Sequence, residues 1–140
     1  MTVVVDASAV VAALVDHGSD GTWAEAELIG DDLAAPHLMP VEVANILRRA
    51  VLARNLSLDS ATLAHSDLLR LPVQLSPYEL SAERVWQLRN NLSAYDAWYV
   101  AVAEALDAPL VTLDRRMSQA RGPRCIFRLP PRPQSPIDAR

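Results

Sequence analysis

Three consecutive valines, residues 3–5, run into an aspartate and then a second apolar stretch, giving VVVDASAVVAAL over residues 3–14. A strand with apolar side chains on successive positions has no polar face to offer water, so it belongs in a sheet covered on both sides. Residues 9–14 read as a buried helix. Asp6 therefore marks a strand-to-helix junction, or the chain buries a charge in its core. The other segments have to decide between a turn residue and a functional one.

The rest of the chain keeps alternating strand and helix. A strand at 2–6 leads to a short helix at 8–14, and a second helix covers about 20–30. A short strand at 33–35 precedes PHLMPVEVANILRRAVLARN, where Pro40 suits a first helical turn and Val43, Ile46, Leu47, Ala50 and Val51 repeat at helical spacing. A helix at 59–69, a strand at 73–75 and a helix from Pro77 to about 90 follow. Ala94, Ala97, Trp98, Ala101, Val102, Ala105 and Leu106 form one apolar helical face. A strand at 110–113, a short helix at 115–120 and a strand at 124–128 close the pattern. The expected fold class is α/β, a short and mostly parallel central sheet between helices. The expected division is a domain over 1–128 and a proline-rich tail over 129–140.

A chain of 140 residues is one domain by size, and 51% apolar against 21% charged residues exclude a disordered class. No apolar run approaches the length of a membrane span. The start of the chain reaches Asp6 without a basic region, so no secretory signal is expected. A single cysteine fits a reducing compartment, and the expected location is cytoplasmic with no membrane partner. Cys125, in RCIFRL, reads as a buried strand thiol. The net charge of −4 conceals an asymmetry. Residues 1–47 hold eight acidic side chains and no arginine or lysine, whereas residues 115–140 hold seven arginines and one aspartate. All thirteen basic residues are arginines, which suit bidentate contacts to phosphate or carboxylate.

Parallel sheets place their sites beyond the carboxyl ends of the strands. Asp6 ends the first strand, Asp114 follows LVTL, and Glu42 and Asp96 fall in the first turns of two helices. Each acid has a structural alternative. Asp6 and Asp114 suit helix capping, SAYD resembles a capping box from Ser93 to Asp96, and Glu42 favours its helix dipole. Capping does not require four segments to converge, however. If they converge, two carboxylates 4 Å apart repel by about 4 kcal/mol at an effective dielectric of 20. A hard divalent cation relieves that repulsion, and an oxygen-only donor set favours Mg²⁺ or Mn²⁺. Such ions support phosphodiester hydrolysis. Ser8 either caps a helix or orients water at the site. Thr112 points to the face of Asp114 if its strand persists, and Tyr95 and Tyr99 are helical neighbours with no assigned catalytic role.

Rival phosphate chemistries lack their residues. There is no GxxxxGK[ST] loop, the haloacid-dehalogenase pattern would need an aspartate where Ser8 stands, and a receiver domain would need a lysine. The segments VVVDASAVVAAL, PHLMPVEVANILRR, LSAYDAWYVAVAEAL and PLVTLDRR, in that order over residues 3–116, resemble the PIN-domain ribonucleases, and among them the VapC-type toxins of bacterial toxin–antitoxin pairs. The resemblance implies an acidic quartet of Asp6, Glu42, Asp96 and Asp114. Asp6, Asp96 and Asp114 would be inner metal ligands, Glu42 would complete the site, and Ser8 and Thr112 would be supporting hydroxyls. It further implies Mg²⁺, with Mn²⁺ as a substitute, an RNA substrate such as tRNA or rRNA, a homodimer, and inhibition by a cognate VapB-type antitoxin. Arg115 and Arg116 are the expected phosphate contacts beside Asp114. Two alternatives stay open: a noncatalytic dimeric module using the acidic pocket to bind protein, and a metal-dependent phosphatase.

Overall fold

The computed structural model describes residues 1–133; of the proline-rich tail, residues 134–140 lie outside them. Five strands form the sheet: β1 (Thr2–Val5), β2 (Asp32–Pro36), β3 (Val73–Ser76), β4 (Leu110–Val111) and β5 (Phe127–Arg128). Their spatial order is β3-β2-β1-β4-β5, and every neighbouring pair is parallel. In the middle of the sheet, Val4 pairs with Ala34 on one side and Leu110 on the other. Val3, Val4, Val5, Leu110 and Val111 have no exposed surface, as an unalternating apolar strand at the centre of a covered sheet requires.

The helices are α1 (Ala7–Val15), α2 (Ser19–Leu28), α3 (Met39–Leu52), α4 (Leu58–Leu68), α5 (Ala82–Gln87), α6 (Ala94–Ala105) and α7 (Arg115–Ser118). Helix α1 packs on α2, α3 and α4, while α6 lies against β1, β2 and β4 and carries α5. The α1–α2 turn is tight enough to need a glycine, since a Cβ on Gly21 would sit 1.8 Å from the Asp16 carbonyl oxygen. Helix α5 is held to α6 by Arg84, whose Nε donates to Glu104 Oε1 at 2.7 Å and whose Nη2 donates to the Gly122 carbonyl at 2.8 Å. Together these elements make a three-layer α/β fold around one core.

Several boundaries differ from the sequence expectations. The helix expected from Pro77 to 90 is a 3-10 turn at Tyr78–Leu80 followed by the short α5. The break lies at buried Ser81, whose backbone (φ −107°, ψ −7°) departs from helical values and whose N–H closes the turn on Tyr78. The strand expected at 110–113 has only two residues, and the helix expected at 115–120 is the four-residue α7. Cys125 precedes β5 instead of lying in a strand from 124, and it is half-buried. Burial chiefly raises its thiol to about 11, so it is a poor nucleophile at neutral pH.

Direction matters most for the site. Because β1, β2 and β4 are parallel, the residues following them emerge at one edge of the sheet. Helix α6 runs the opposite way, since it ends at Ala105 and turns through Asp107 (φ 48°) into β4 at Leu110. Its first turn therefore returns to that same carboxyl edge. Among the described residues, no helix is long and apolar enough to cross a membrane.

Candidate active site

Asp6 is both the end of β1 and the cap of α1. Its backbone is extended (φ −89°, ψ 169°), and its Oδ1 accepts from the Ala9 N–H at 3.0 Å and from the Ser8 hydroxyl at 2.6 Å. Oδ2 accepts from the Thr112 hydroxyl. The residue is only 6% exposed. Burial, with a smaller contribution from the Asp114 charge, raises its carboxyl to about 6, against the opposing pull of the bonds from Ser8, Thr112 and Ala9.

The same hydroxyls explain why β4 stops early. The Thr112 N–H still donates to the Arg128 carbonyl at 3.0 Å, extending the pairing one residue past the strand. The next two amides turn to side chains: Leu113 N–H donates to Ser8 Oγ at 3.1 Å, and Asp114 N–H to Thr112 Oγ1 at 2.9 Å. Ser8 and Thr112, 3.5 Å apart at their oxygens, thus lock the ends of β1 and β4 together around Asp6. The expectation that Thr112 shares a strand face with Asp114 is corrected: it serves the Asp6 carboxylate and the Asp114 backbone. Ser8 is likewise no cap, because Asp6 caps α1 and Ser8 sits inside the helix.

Asp114 caps α7, accepting from the Met117 N–H at 3.1 Å through Oδ1. Asp96 lies in the first turn of α6, where its N–H donates to the capping Ser93 hydroxyl at 3.2 Å. Burial and then the Asp114 charge push the Asp96 carboxyl up, while Arg116 pulls it down. Glu42, in the first turn of α3, accepts from the Tyr99 phenol at 2.6 Å through Oε1. Tyr99 is 2% exposed; burial and its bond to Glu42 push the phenol upward, with Asp6 adding to the effect, so it remains a protonated donor.

Three electrostatic couplings thus join the four acids. Asp6 feels Asp114, Asp96 feels Asp114, and Tyr99 stands between Glu42 and Asp6. A cap by itself occupies one lone pair of a carboxylate that has about four, but at Asp6 the bonds from Ala9, Ser8 and Thr112 use three of them. The donor set is oxygen only, the type that hard divalent cations select. Among the described residues, no group of three or more His, Cys, Asp or Glu side chains is drawn tightly enough together to form a preassembled metal cage.

A PIN-domain family model matches residues 3–123. Ribonuclease VapC1 of Mycobacterium tuberculosis is 42% identical over 127 residues, covering 90% of this chain and 96% of that protein. Ribonuclease VapC9 of the same organism is 41% identical over 130 residues, 93% of this chain and 99% of that one. The chain is a PIN-domain protein of the VapC family. Solved structures agree in fold. The M. tuberculosis toxin VapC20, described as cleaving the sarcin–ricin loop, superposes with a TM-score of 0.63 at 17% identity, over 83% of this chain and 92% of that one. VapBC2 of Rickettsia felis, solved bound to a promoter DNA fragment, gives 0.63 at 15% identity over 92% and 98%.

In this VapC-family chain, Tyr99 is one of the two tyrosines, with Tyr95, that sequence reasoning left without a catalytic role. Its position three residues after Asp96 suggested only helix packing, and nothing local reveals that its hydroxyl meets Glu42, 57 residues away. A Tyr99→Phe protein is expected to fold with a loss of about 1 to 3 kcal/mol, the cost of leaving a part-buried acceptor without its donor. If Tyr99 orients Glu42, activity on RNA falls through kcat with KM nearly unchanged. Equal kcat values for the two proteins would make Tyr99 a packing residue only. The two expected phosphate contacts diverge in this structure. The Arg115 Nη2 donates to the Pro130 carbonyl, whereas Arg116 is exposed and lines a recess with Asp96.

Proposed function

We propose that this chain is a metal-dependent endoribonuclease, the toxin of a pair held inactive by a VapB-type antitoxin. The observation that carries the reading is the gathering of Asp6, Glu42, Asp96 and Asp114 at one sheet edge, where burial and mutual repulsion hold two of the carboxyls above their ordinary range. An oxygen-only group of four acids, two of them raised by burial and by the neighbouring Asp114 charge, suits a cationic ligand. Asp6, Asp96 and Asp114 are the residues to hold Mg²⁺ or Mn²⁺, with Glu42 completing the set. When bound, such a cation offsets the developing negative charge and raises the nucleophilicity of water.

The chain's own residues supply orientation. Ser8, Thr112 and the Ala9 amide fix both oxygens of Asp6, and Tyr99 fixes Glu42. Water attacks the phosphorus in line: its O–P bond forms and it gives up a proton, while the bond from phosphorus to the 3'-oxygen breaks and that oxygen takes a proton. The products are a 5'-phosphate and a 3'-hydroxyl. Arg116 is the exposed cation beside Asp96 that draws the phosphate toward an otherwise acidic centre. Single-stranded or looped RNA, tRNA and rRNA loops included, reaches such an edge better than a regular duplex does.

The VapC relatives and the VapBC assembly of a fold neighbour support the antitoxin partner; a homodimer is proposed on the family resemblance alone. The deciding experiment is incubation of purified, antitoxin-free protein with total cellular RNA, with and without Mg²⁺, followed by end mapping. Internal cuts bearing 5'-phosphates, seen only with the cation, are expected. Release of phosphate from monoesters without internal cuts would replace this reading by a phosphatase. Arg116→Ala is expected to reduce the salt slope of RNA binding by about 0.7 to 1, the loss of one phosphate contact. Arg115→Ala should leave the slope alone, because its guanidinium is turned to Pro130. Filter binding at several salt concentrations makes the comparison.

A further inference from the structure

The first turn of α6 has two differently furnished faces. Ser93 and Asp96, three residues apart, share one of them, facing a polar recess that includes Asn91, Arg116 and Gln119. Ala94, Tyr95 and Trp98 occupy another and, with Leu38 and Tyr78, bound a second recess of about 310 Å³. That size is at the lower end of small-ligand pockets, roughly 300 to 1,000 Å³. No charged side chain lines it. Its position ties it to the acidic site, because Leu38 caps α3 one turn before Glu42 and Tyr95 adjoins Asp96.

Of the aromatic groups here, Trp98 packs against the core, whereas Tyr78 and Tyr95 do not. Tyr95 is 62% exposed and Tyr78 is 41% exposed, and both line the same recess. The Tyr78 ring meets Trp98 edge-on, with centroids 5.3 Å apart and planes at 86°. Trp98 supplies a second observation. Its indole Nε1 is the one buried side-chain nitrogen or oxygen among the described residues that has no hydrogen-bond partner. Buried donors are normally satisfied, so an unpaired one carried by a ring that lines this recess is a donor left for an incoming partner.

We infer that this recess receives an unpaired nucleobase flanking the scissile phosphodiester, stacked on Tyr95 and offering an acceptor to the Trp98 indole. This rests on the ribonuclease reading and adds to it a base subsite. An uncharged aromatic recess suits a base and rejects the ribose–phosphate chain, which belongs on the Arg116 side of the helix. Nucleobases carry both π faces for stacking and ring nitrogens or carbonyls as acceptors. Stacking accepts every base, whereas the single indole donor favours bases that bring an acceptor to it.

The test uses the full chain and a mixed-sequence, single-stranded RNA pool. Binding is read by anisotropy in chelator, cleavage by end mapping in Mg²⁺, and self-association by light scattering. Tyr95→Ala is expected to bind the pool about tenfold more weakly than wild type, the scale of one stacked base, while Tyr95→Trp binds as wild type does. A matching pool of abasic RNA should bind wild type no better than it binds Tyr95→Ala. Trp98→Phe keeps a ring but removes the donor, so the bases beside its cuts are expected to show a flatter preference than those beside wild-type cuts. Tyr95→Ala binding and cutting like wild type would overturn the subsite and leave the ribonuclease reading intact. A Tyr95→Ala protein that loses self-association but not RNA affinity would overturn it in favour of an interface between two copies. Wild type that cuts no RNA removes the ribonuclease reading, and the subsite with it.

Discussion

Replacing Asp6 by asparagine is expected to lower RNA cleavage by at least about a thousandfold while making the metal-free protein more stable at neutral pH. The loss follows from removing a charged oxygen from the centre of the acidic group, where several kcal/mol of transition-state stabilisation are at stake and each 1.36 kcal/mol is tenfold in rate. The gain in stability follows from the raised carboxyl. The folded-state value of about 6 exceeds the ordinary 3.8, so the folded protein binds more protons than the unfolded chain between about pH 4 and 6. Stability attached to this group is therefore full below about pH 4 and is lost as pH rises through 6. The rise corresponds to roughly 3 kcal/mol at most. Chelator-treated wild type should lose stability across that window, and Asp6→Asn should lack this part of the decline. Asparagine still accepts from Ala9 and Ser8, and the Thr112 hydroxyl can rotate to meet its amide. Denaturant melts from pH 4 to 8, paired with cleavage assays, give the answer; an Asp6→Asn protein that still cuts RNA at the wild-type rate ends the assignment.

Asp96→Asn separates helix stabilisation from cation binding. As a first-turn acid of α6, Asp96 contributes about 0.3 to 1 kcal/mol through the helix dipole, and relief of its repulsion with Asp114 acts in the opposite direction. The two metal-free proteins should thus melt within about 1 kcal/mol of each other. Adding Mg²⁺ or Mn²⁺ at about a hundred times its Kd is expected to stabilise wild type by about 2.7 kcal/mol, because the ion binds the folded state alone. The variant should gain much less at the same concentration and should cut RNA at least about a hundredfold more slowly. Retained antitoxin binding would show that the surface is intact. Equal cation stabilisation in both proteins, with equal cleavage, would reduce Asp96 to a helix-terminal acid.

What the chain's order of residues determines by itself is the layered plan and the placing of Asp6, Glu42, Asp96 and Asp114 at strand ends and helix starts. The unalternating valines demand a covered strand, and the β/α rhythm then makes the sheet parallel, as all four strand pairings are. From parallel strands alone, Asp6, Glu42 and Asp114 must emerge at one edge, and the reversed direction of α6 adds Asp96. Local signals were also sufficient for Ser93 as a cap and Pro40 in the first turn of α3. Other outcomes depend on contacts between residues distant in the chain. The two-residue length of β4 could not be read from LVTLD, because its end is set by hydroxyls that include one 105 residues earlier. Ser8 became a donor to Asp6 for the same reason, and Tyr99 joined the site only when α6 crossed the beginning of α3. The break at Ser81 and the turning of Arg115 toward Pro130 are likewise products of packing. Periodicity and composition report what a segment needs from its surroundings, burial or water. Which oxygen meets which hydrogen is decided only when separate segments are brought within about 3 Å, and that information is held in the tertiary structure.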